Sequence, residues 1–202
     1  MPLAANTPYS LTVSSAQDLA GNSAGPSTTP FSWAVAVPAQ PGDVIMNELM
    51  PDPDPPVGLP NAEFVELFNT TTDRTFDLTG WKITDGSGTG TLPAVLIPPG
   101  GHVILSGTSN AALFAGFGTV VGVPAFPSLN NDGDPMELWD ASGTVIDAVT
   151  YSSTWYNDAI KANGGWTLER IDPFTPCSSA ANWTASTDAS GGTPGAPNSV
   201  FA

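Results

Sequence analysis

From Asp43 onward the chain alternates short apolar runs with clusters of Gly, Pro, Asn and Asp. Side chains of a strand alternate between faces with period 2, so such runs predict strands with one core face each. Val44 to Leu49 reads as the first. Pro51-Asp52-Pro53-Asp54-Pro55-Pro56 then forces an extended loop without ladder donors. Glu63 to Phe68 is the second strand, with Val65 and Leu67 on one face and Phe64, Glu66 and Phe68 on the other. Trp81 and Ile83 hold the core side of the next. Leu92 to Ile97 and Val103 to Leu105 flank a corner at Pro98-Pro99-Gly100-Gly101. Asn130-Asn131-Asp132-Gly133-Asp134 is a turn leading into Pro135 to Trp139. Asp140-Ala141-Ser142-Gly143 turns that strand into Thr144 to Tyr151, predicting a hairpin. Trp166 to Ile171 is the last clear strand, and an irregular closure follows through Asn182-Trp183 and Gly191-Gly192-Thr193-Pro194-Gly195. Ala111 to Phe114 fits a single helical turn. About ten strands with turns roughly every 8 to 12 residues predict an all-β fold, a β-sandwich.

Residues 1–37 read as a separate unit. Tyr9, Leu11 and Val13 alternate with Ser10 and Thr12, and Phe31, Trp33, Val35 and Val37 alternate likewise, around a turn at Asp18-Leu19-Ala20-Gly21-Asn22. A lone hairpin leaves its apolar face uncovered, so it is expected either to pack, on the next domain or on a second copy in a homodimer, or to stay a mobile arm. Residues 38–42 form a Pro/Gly linker, and the main domain spans 43–202.

Several motifs occur in a fixed order: Asn47-Glu48, Glu63 through Asn69, Asp77-Leu78-Thr79-Gly80-Trp81-Lys82-Ile83, Pro99 through Leu105, and Gly191 through Asn198. In that order they resemble the lamin tail domain of bacterial secreted proteins. The Tyr9–Val13 run followed by Asp18-Leu19-Ala20-Gly21-Asn22 resembles the last two strands of a bacterial immunoglobulin-like domain. The resemblance implies an immunoglobulin-like sandwich with an additional N-terminal hairpin and no catalytic apparatus. It also implies a structural, adhesive or targeting role on an exported surface protein. The Pro-Asp loop at 51–60 and the segment 152–165 stand as insertions relative to the animal domain.

Charge narrows the partners. Nineteen acidic residues face four basic ones, a net charge of -15, with Arg74, Lys82, Lys161 and Arg170 scattered. Phosphate binding needs clustered cations, so nucleic acid is excluded as a partner, and the chromatin association of animal lamin tails does not carry over. No apolar run approaches the ~20 residues of a membrane span, so no membrane insertion is expected. Residues 1–6 lack a basic stretch followed by an apolar core, so the chain is expected to be a piece of a longer exported protein, extracellular or on the cell surface. Cys177 is the only cysteine, which excludes an intrachain disulfide and thiolate zinc sites.

Catalysis needs paired carboxylates or a histidine beside a nucleophile. His102 is the only histidine and reads as a strand-face residue, and Glu63 and Glu66 point to opposite faces. A hydrolase is therefore not expected. Calcium, which takes several hard oxygens, is the one cofactor with candidate ligands: Glu48, Asp52 and Asp54 in one group, and Asn130, Asn131, Asp132 and Asp134 in another. The competing reading makes these ordinary turn residues. Trp155, Tyr156, Trp166 and Trp183 lie among polar residues, either as an aromatic surface for a glycan or protein partner or as cover for the sandwich edge. With calcium they define the alternative function, a glycan- or cell-wall-binding module. Asn69-Thr70-Thr71 and Asn182-Trp183-Thr184 match the glycosylation sequon, which a bacterial origin would make irrelevant.

Overall fold

The computed structural model describes Leu3 and residues 8–32, 36–175 and 178–201. The chain divides into two compact units, Met1–Ala36 and Val37–Ala202. Cys177 lies outside the described residues.

The first unit is a hairpin of β1 (Pro8–Val13) and β2 (Ser27–Ser32). Tyr9 stands opposite Phe31 and Val13 opposite Ser27. The Tyr9 and Phe31 rings stack at 5.7 Å, while Leu11 and Val13 are exposed. Asp18 builds the turn: its carboxylate accepts from the amides of Ala20 and Asn22, each at 2.9 Å, and from Asn22 Nδ2 at 2.8 Å. A turn fixes the register of its hairpin, and this one places the second strand earlier than the expected Phe31 to Val37. Of that run, Phe31 falls in β2, and Trp33 and Val35 lie outside the described residues.

The second unit carries β3 (Val44–Met50), β4 (Phe64–Asn69), β5 (Phe76–Asp77), β6 (Lys82–Thr84), β7 (Thr89–Thr91), β8 (Leu96–Ile97) and β9 (His102–Gly107). It continues with β10 (Val120–Val123), β11 (Gly133–Trp139), β12 (Val145–Ser152), β13 (Leu168–Arg170) and β14 (Trp183–Ala185). Six strands form one sheet in the order β10-β9-β4-β3-β13-β14, and four form the other in the order β12-β11-β6-β7. The fold is an all-β, immunoglobulin-like sandwich. Its core joins Met46, Leu49, Val65, Leu67, Val103, Leu105 and Leu168 from the first sheet to Ile83, Met136, Leu138, Ile146 and Val149 from the second. Burying each such side chain is worth roughly 1.5–3 kcal/mol, so these facing surfaces carry the fold.

One irregularity decides what the outside of the first sheet carries. The pairing of β3 with β4 shifts between Met46 and Glu48, leaving Asn47 as an extra, bulged residue. In a regular strand positions three apart point to opposite faces. The bulge lets both Met46 and Leu49 point into the core and sends Glu48 outward.

The β11–β12 hairpin forms as expected, its turn held by Asp140 Oδ1 accepting from the amides of Ser142 at 2.9 Å and Thr144 at 2.8 Å. Ala111–Phe114 is a single 3-10 turn, also as expected. Three strand expectations change. Of Leu92 to Ile97 only Leu96–Ile97 forms a strand: Leu92 still exchanges backbone hydrogen bonds with Gly80 and Trp81, but Pro93 has no N–H to continue that ladder. Val120–Val123, unforeseen, runs parallel to β9, and Trp183–Ala185, expected to be irregular, pairs with β13. Among the described residues no helix is long and apolar enough to cross a membrane.

Candidate functional site: the outer face of the six-stranded sheet

Strand register brings three carboxyl groups together on this face. Glu48 stands opposite Glu66 on one side and Glu169 on the other, and all three are fully buried. Adjacent strands lie about 4.7–4.9 Å apart, so the three side chains form a row across the sheet. They are sealed by the irregular segment 191–200, which supplies hydrogen-bond donors to each. The Thr193 amide donates to Glu48 Oε1 at 2.7 Å, as does Thr167 Oγ1 at 2.7 Å. The Gly195 amide donates to Glu66 Oε2. Thr193 Oγ1 donates to Glu169 Oε1 at 3.0 Å, and Ser199 Oγ and the Val200 amide donate to Glu169 Oε2 at 2.7 and 3.2 Å. The bulged Asn47 completes the row, donating through Nδ2 to Glu66 Oε1 at 3.1 Å and to Asn198 Oδ1 at 2.9 Å. Asn198 answers through Nδ2 to the carbonyls of Asn47 at 2.9 Å and Arg170 at 2.8 Å. Residues 191–200 are thus a strap pinned by the outward side chains of three neighbouring strands.

The glycines of the strap make this approach possible. A Cβ at Gly192 would meet Glu48 Oε1 at 2.5 Å. At Gly195, where φ is +83°, a Cβ would run into the carbonyl oxygen of Phe117. Only a residue without a side chain satisfies both the left-handed conformation and the contact.

Burial sets the charge state of the row. Desolvation, together with the neighbouring Glu66 and Glu169, drives the Glu48 carboxyl well above the usual carboxylate range. Desolvation outweighs the amide and Asn47 hydrogen bonds at Glu66 and pushes it up to about 8. Glu66 is therefore a neutral acid below about pH 8, and Glu48 likewise favours its protonated form. Glu48 Oε2 has no hydrogen-bond partner, a position tolerable for a carboxylic acid and very costly for a carboxylate. His102 Nε2 lies 3.9 Å from Glu66 Oε1, but burial lowers the imidazole's affinity for a proton. Near neutral pH this contact therefore joins two uncharged groups.

Beside the row the same face opens into a pocket of about 230 Å3, lined by Asn47, Phe68, His102, Phe174, Asn198 and Phe201 with Pro173 and Pro197. The Phe68 ring lies 4.7 Å from His102 and 6.2 Å from Phe174, which lies 6.2 Å from Phe201. Phe174 and Phe201 are 60% and 49% exposed. The strap forms one wall, through Pro197 and Asn198, and its end carries Phe201.

The residues singled out in the sequence are distributed otherwise. Glu48 is not joined to Asp52 and Asp54: it points under the strap, while Asp54 is exposed and accepts from Asn61 Nδ2 at 3.1 Å. Asp52 Oδ1 faces the Asp54 amide at 3.4 Å, within the loop. In the second group Asp134 Oδ2 accepts from Asn130 Nδ2 at 2.9 Å and from its amide at 3.3 Å, a turn contact, while Asn131 and Asp132 are exposed. Among the described residues no three His, Cys, Asp or Glu side chains are grouped so as to hold a metal.

The aromatic surface also needs correction. Trp183 is 1% exposed, with the Arg170 guanidinium 5.1 Å from its ring centre. Tyr156 is buried and donates its hydroxyl to the Trp166 carbonyl at 3.0 Å. Trp155 and Trp166 are half-buried against the core, Trp155 at 6.4 Å from the Trp183 ring and Trp166 under Lys161 Nζ at 4.4 Å. The 3-10 turn Ser153–Tyr156 and β14 turn Tyr156 and Trp183 inward. Phe174 and Phe201, which do frame a pocket, lie outside every strand; their only signal in the sequence is a large apolar side chain amid turn residues.

Two packed antiparallel sheets with a short parallel edge pair, closed by a hydrogen-bonded strap, define an immunoglobulin-like module whose buried carboxyls face its own backbone. The lamin tail domain family model matches residues 37–153, and the chain belongs to that family of immunoglobulin-like, non-enzymatic modules. Glu48, Glu66, Phe68 and His102 lie within the matched stretch, and the strap and Phe174 beyond it. No curated protein matches the chain.

Proposed function

We propose that the chain is a non-catalytic adhesive or tethering module of an exported bacterial surface protein, and that it docks a protein partner through the aromatic pocket. Residues 1–37 are then the end of a preceding immunoglobulin-like repeat. The observation that carries this reading is the pairing of exposed Phe174 and Phe201 rings with a concave, uncharged floor. Aromatic anchors in pockets dominate binding energy at protein interfaces. A cavity of about 150 Å3 suffices for benzene, so this one takes one apolar ring or branched aliphatic side chain. Charge supports the same assignment, since a chain at -15 favours a partner with basic residues around that anchor. The carboxyls that acid-base chemistry would require are sealed from any substrate under the strap.

The reading is tested by adding labelled protein to bacterial cell-envelope fractions and following saturable retention. Retention is expected for the native chain and for Trp155→Ala, and lost in the Phe174→Ala, Phe201→Ala double variant. Equal retention of the double variant, or reproducible turnover of ester, phosphate or glycoside substrates by repurified protein, would overturn it.

A further inference from the structure

The pocket wall and the acidic row share one piece of backbone, residues 191–200. The strap carries no charged side chain of its own, so nothing in it can neutralise the carboxyls it covers. The other charged or titratable groups nearby are committed elsewhere. The Arg170 guanidinium donates to the Met46 carbonyl at 3.1 Å and to Asp147 at 3.0 Å. Lys161 Nζ donates to the Ser186 carbonyl, Asp188 accepts from Ser190, and His102 is disfavoured from carrying a proton. With no cation in the row, Glu48 and Glu66 are penalised for ionising while sealed.

We propose that residues 191–200 are a proton-gated strap, closed over Glu48 and Glu66 while these hold their protons and released as they ionise, so that the pocket wall of Pro197 and Asn198 is present only in the closed state. The gating concerns the chain alone; its consequence for a partner rests on the docking role given above.

The direction follows from linkage. In the released strap the carboxyls are hydrated and regain the ordinary value of 4.5, whereas closed Glu66 stands at about 8. Closure is therefore complete at low pH and weakens as pH rises between those values. Each carboxyl that must ionise raises the opening constant by about tenfold per pH unit.

The experiment is amide hydrogen exchange by NMR on the protein without partner, at about pH 5.5 and about pH 8.5, with intrinsic rates divided out. The amides of Thr193, Gly195 and Val200 report the strap, and those of Leu67 and Leu138 report the core. Strap protection is expected to lie below core protection at both pH values and to fall toward pH 8 by about tenfold per pH unit for each carboxyl released, and Glu66→Gln is expected to remove one such tenfold step. Unchanged strap protection, or strap protection equal to core protection at both pH values, overturns the proposal; the wild-type series decides this without any variant. Loss of envelope retention in the Phe174→Ala, Phe201→Ala variant is read separately, so failure of gating and failure of docking are distinguishable.

Discussion

The two faces of the six-stranded sheet are built from the same strands and differ in what they exclude. Inside, Leu49, Val65, Leu67, Leu105 and Leu168 pack hydrocarbon on hydrocarbon, a non-directional attraction with no dependence on pH. Outside, Glu48, Glu66 and Glu169 are buried to the same degree, but their cover is a backbone segment held by directional hydrogen bonds. The inner face gives the module its stability. The outer face gives it a segment whose attachment answers to conditions, and that segment walls the pocket.

The contrast breaks most visibly through the core. Leu67→Ala removes a fully buried side chain and is expected to cost about 2–5 kcal/mol, at every pH, as read from denaturant unfolding. On the outer face Glu66→Gln is expected to do the reverse. Because the folded-state value at Glu66 is raised to about 8, its stabilising contribution is fully present below 4.5 and lost as pH rises toward 8. Glu66→Gln should remove a slope of about 1.4 kcal/mol per pH unit across that window, making the variant less pH-sensitive than the native chain. Gly195→Ala, which places a Cβ against the Phe117 carbonyl at positive φ, is expected to cost more than about 1 kcal/mol and to expose the strap to protease before the core. The Phe174→Ala, Phe201→Ala variant should unfold within about 0.5 kcal/mol of the native chain, since both rings are substantially exposed, while losing envelope retention. Smallest of all, millimolar calcium added to chelator-treated protein should leave the melting temperature unchanged, because Glu48 stands apart from Asp52 and Asp54, and Asp134 is engaged with Asn130. An upward shift not reproduced by magnesium would restore the calcium reading.

The hydrophobic alternation was sufficient to expose the sandwich, since period 2 is local: Val65 and Leu67 face the core and Phe64 and Glu66 face away, as their spacing indicates. The bulge at Asn47 was not legible, because a one-residue shift leaves no compositional mark. Without it, the inward pairing of Met46 with Leu49 cannot be read. The acidic row was hidden for a related reason. Glu48, Glu66 and Glu169 are separated by 18 and 103 positions in sequence and meet only through strand order, which alternation does not specify. Outward carboxyls on strands look solvated until their cover is known. That cover is a Gly- and Pro-rich run, whose composition marks it as irregular without saying where it docks. Trp183 misleads in the opposite sense, since its neighbours Asn182 and Thr184 are polar while its own ring sits beneath Arg170 in the core.

Closure of the strap depends on the protonation of Glu66, a carboxyl fully enclosed by its own chain, and this can be observed directly. A pH titration of the 13C-labelled glutamate carboxyl carbons, with Glu66 assigned through Glu66→Gln, should give a midpoint near 8 for Glu66, from about three to four units above an exposed glutamate. A midpoint near 4.5 would mean that the row carries charge under the strap at neutral pH, and would contradict the account.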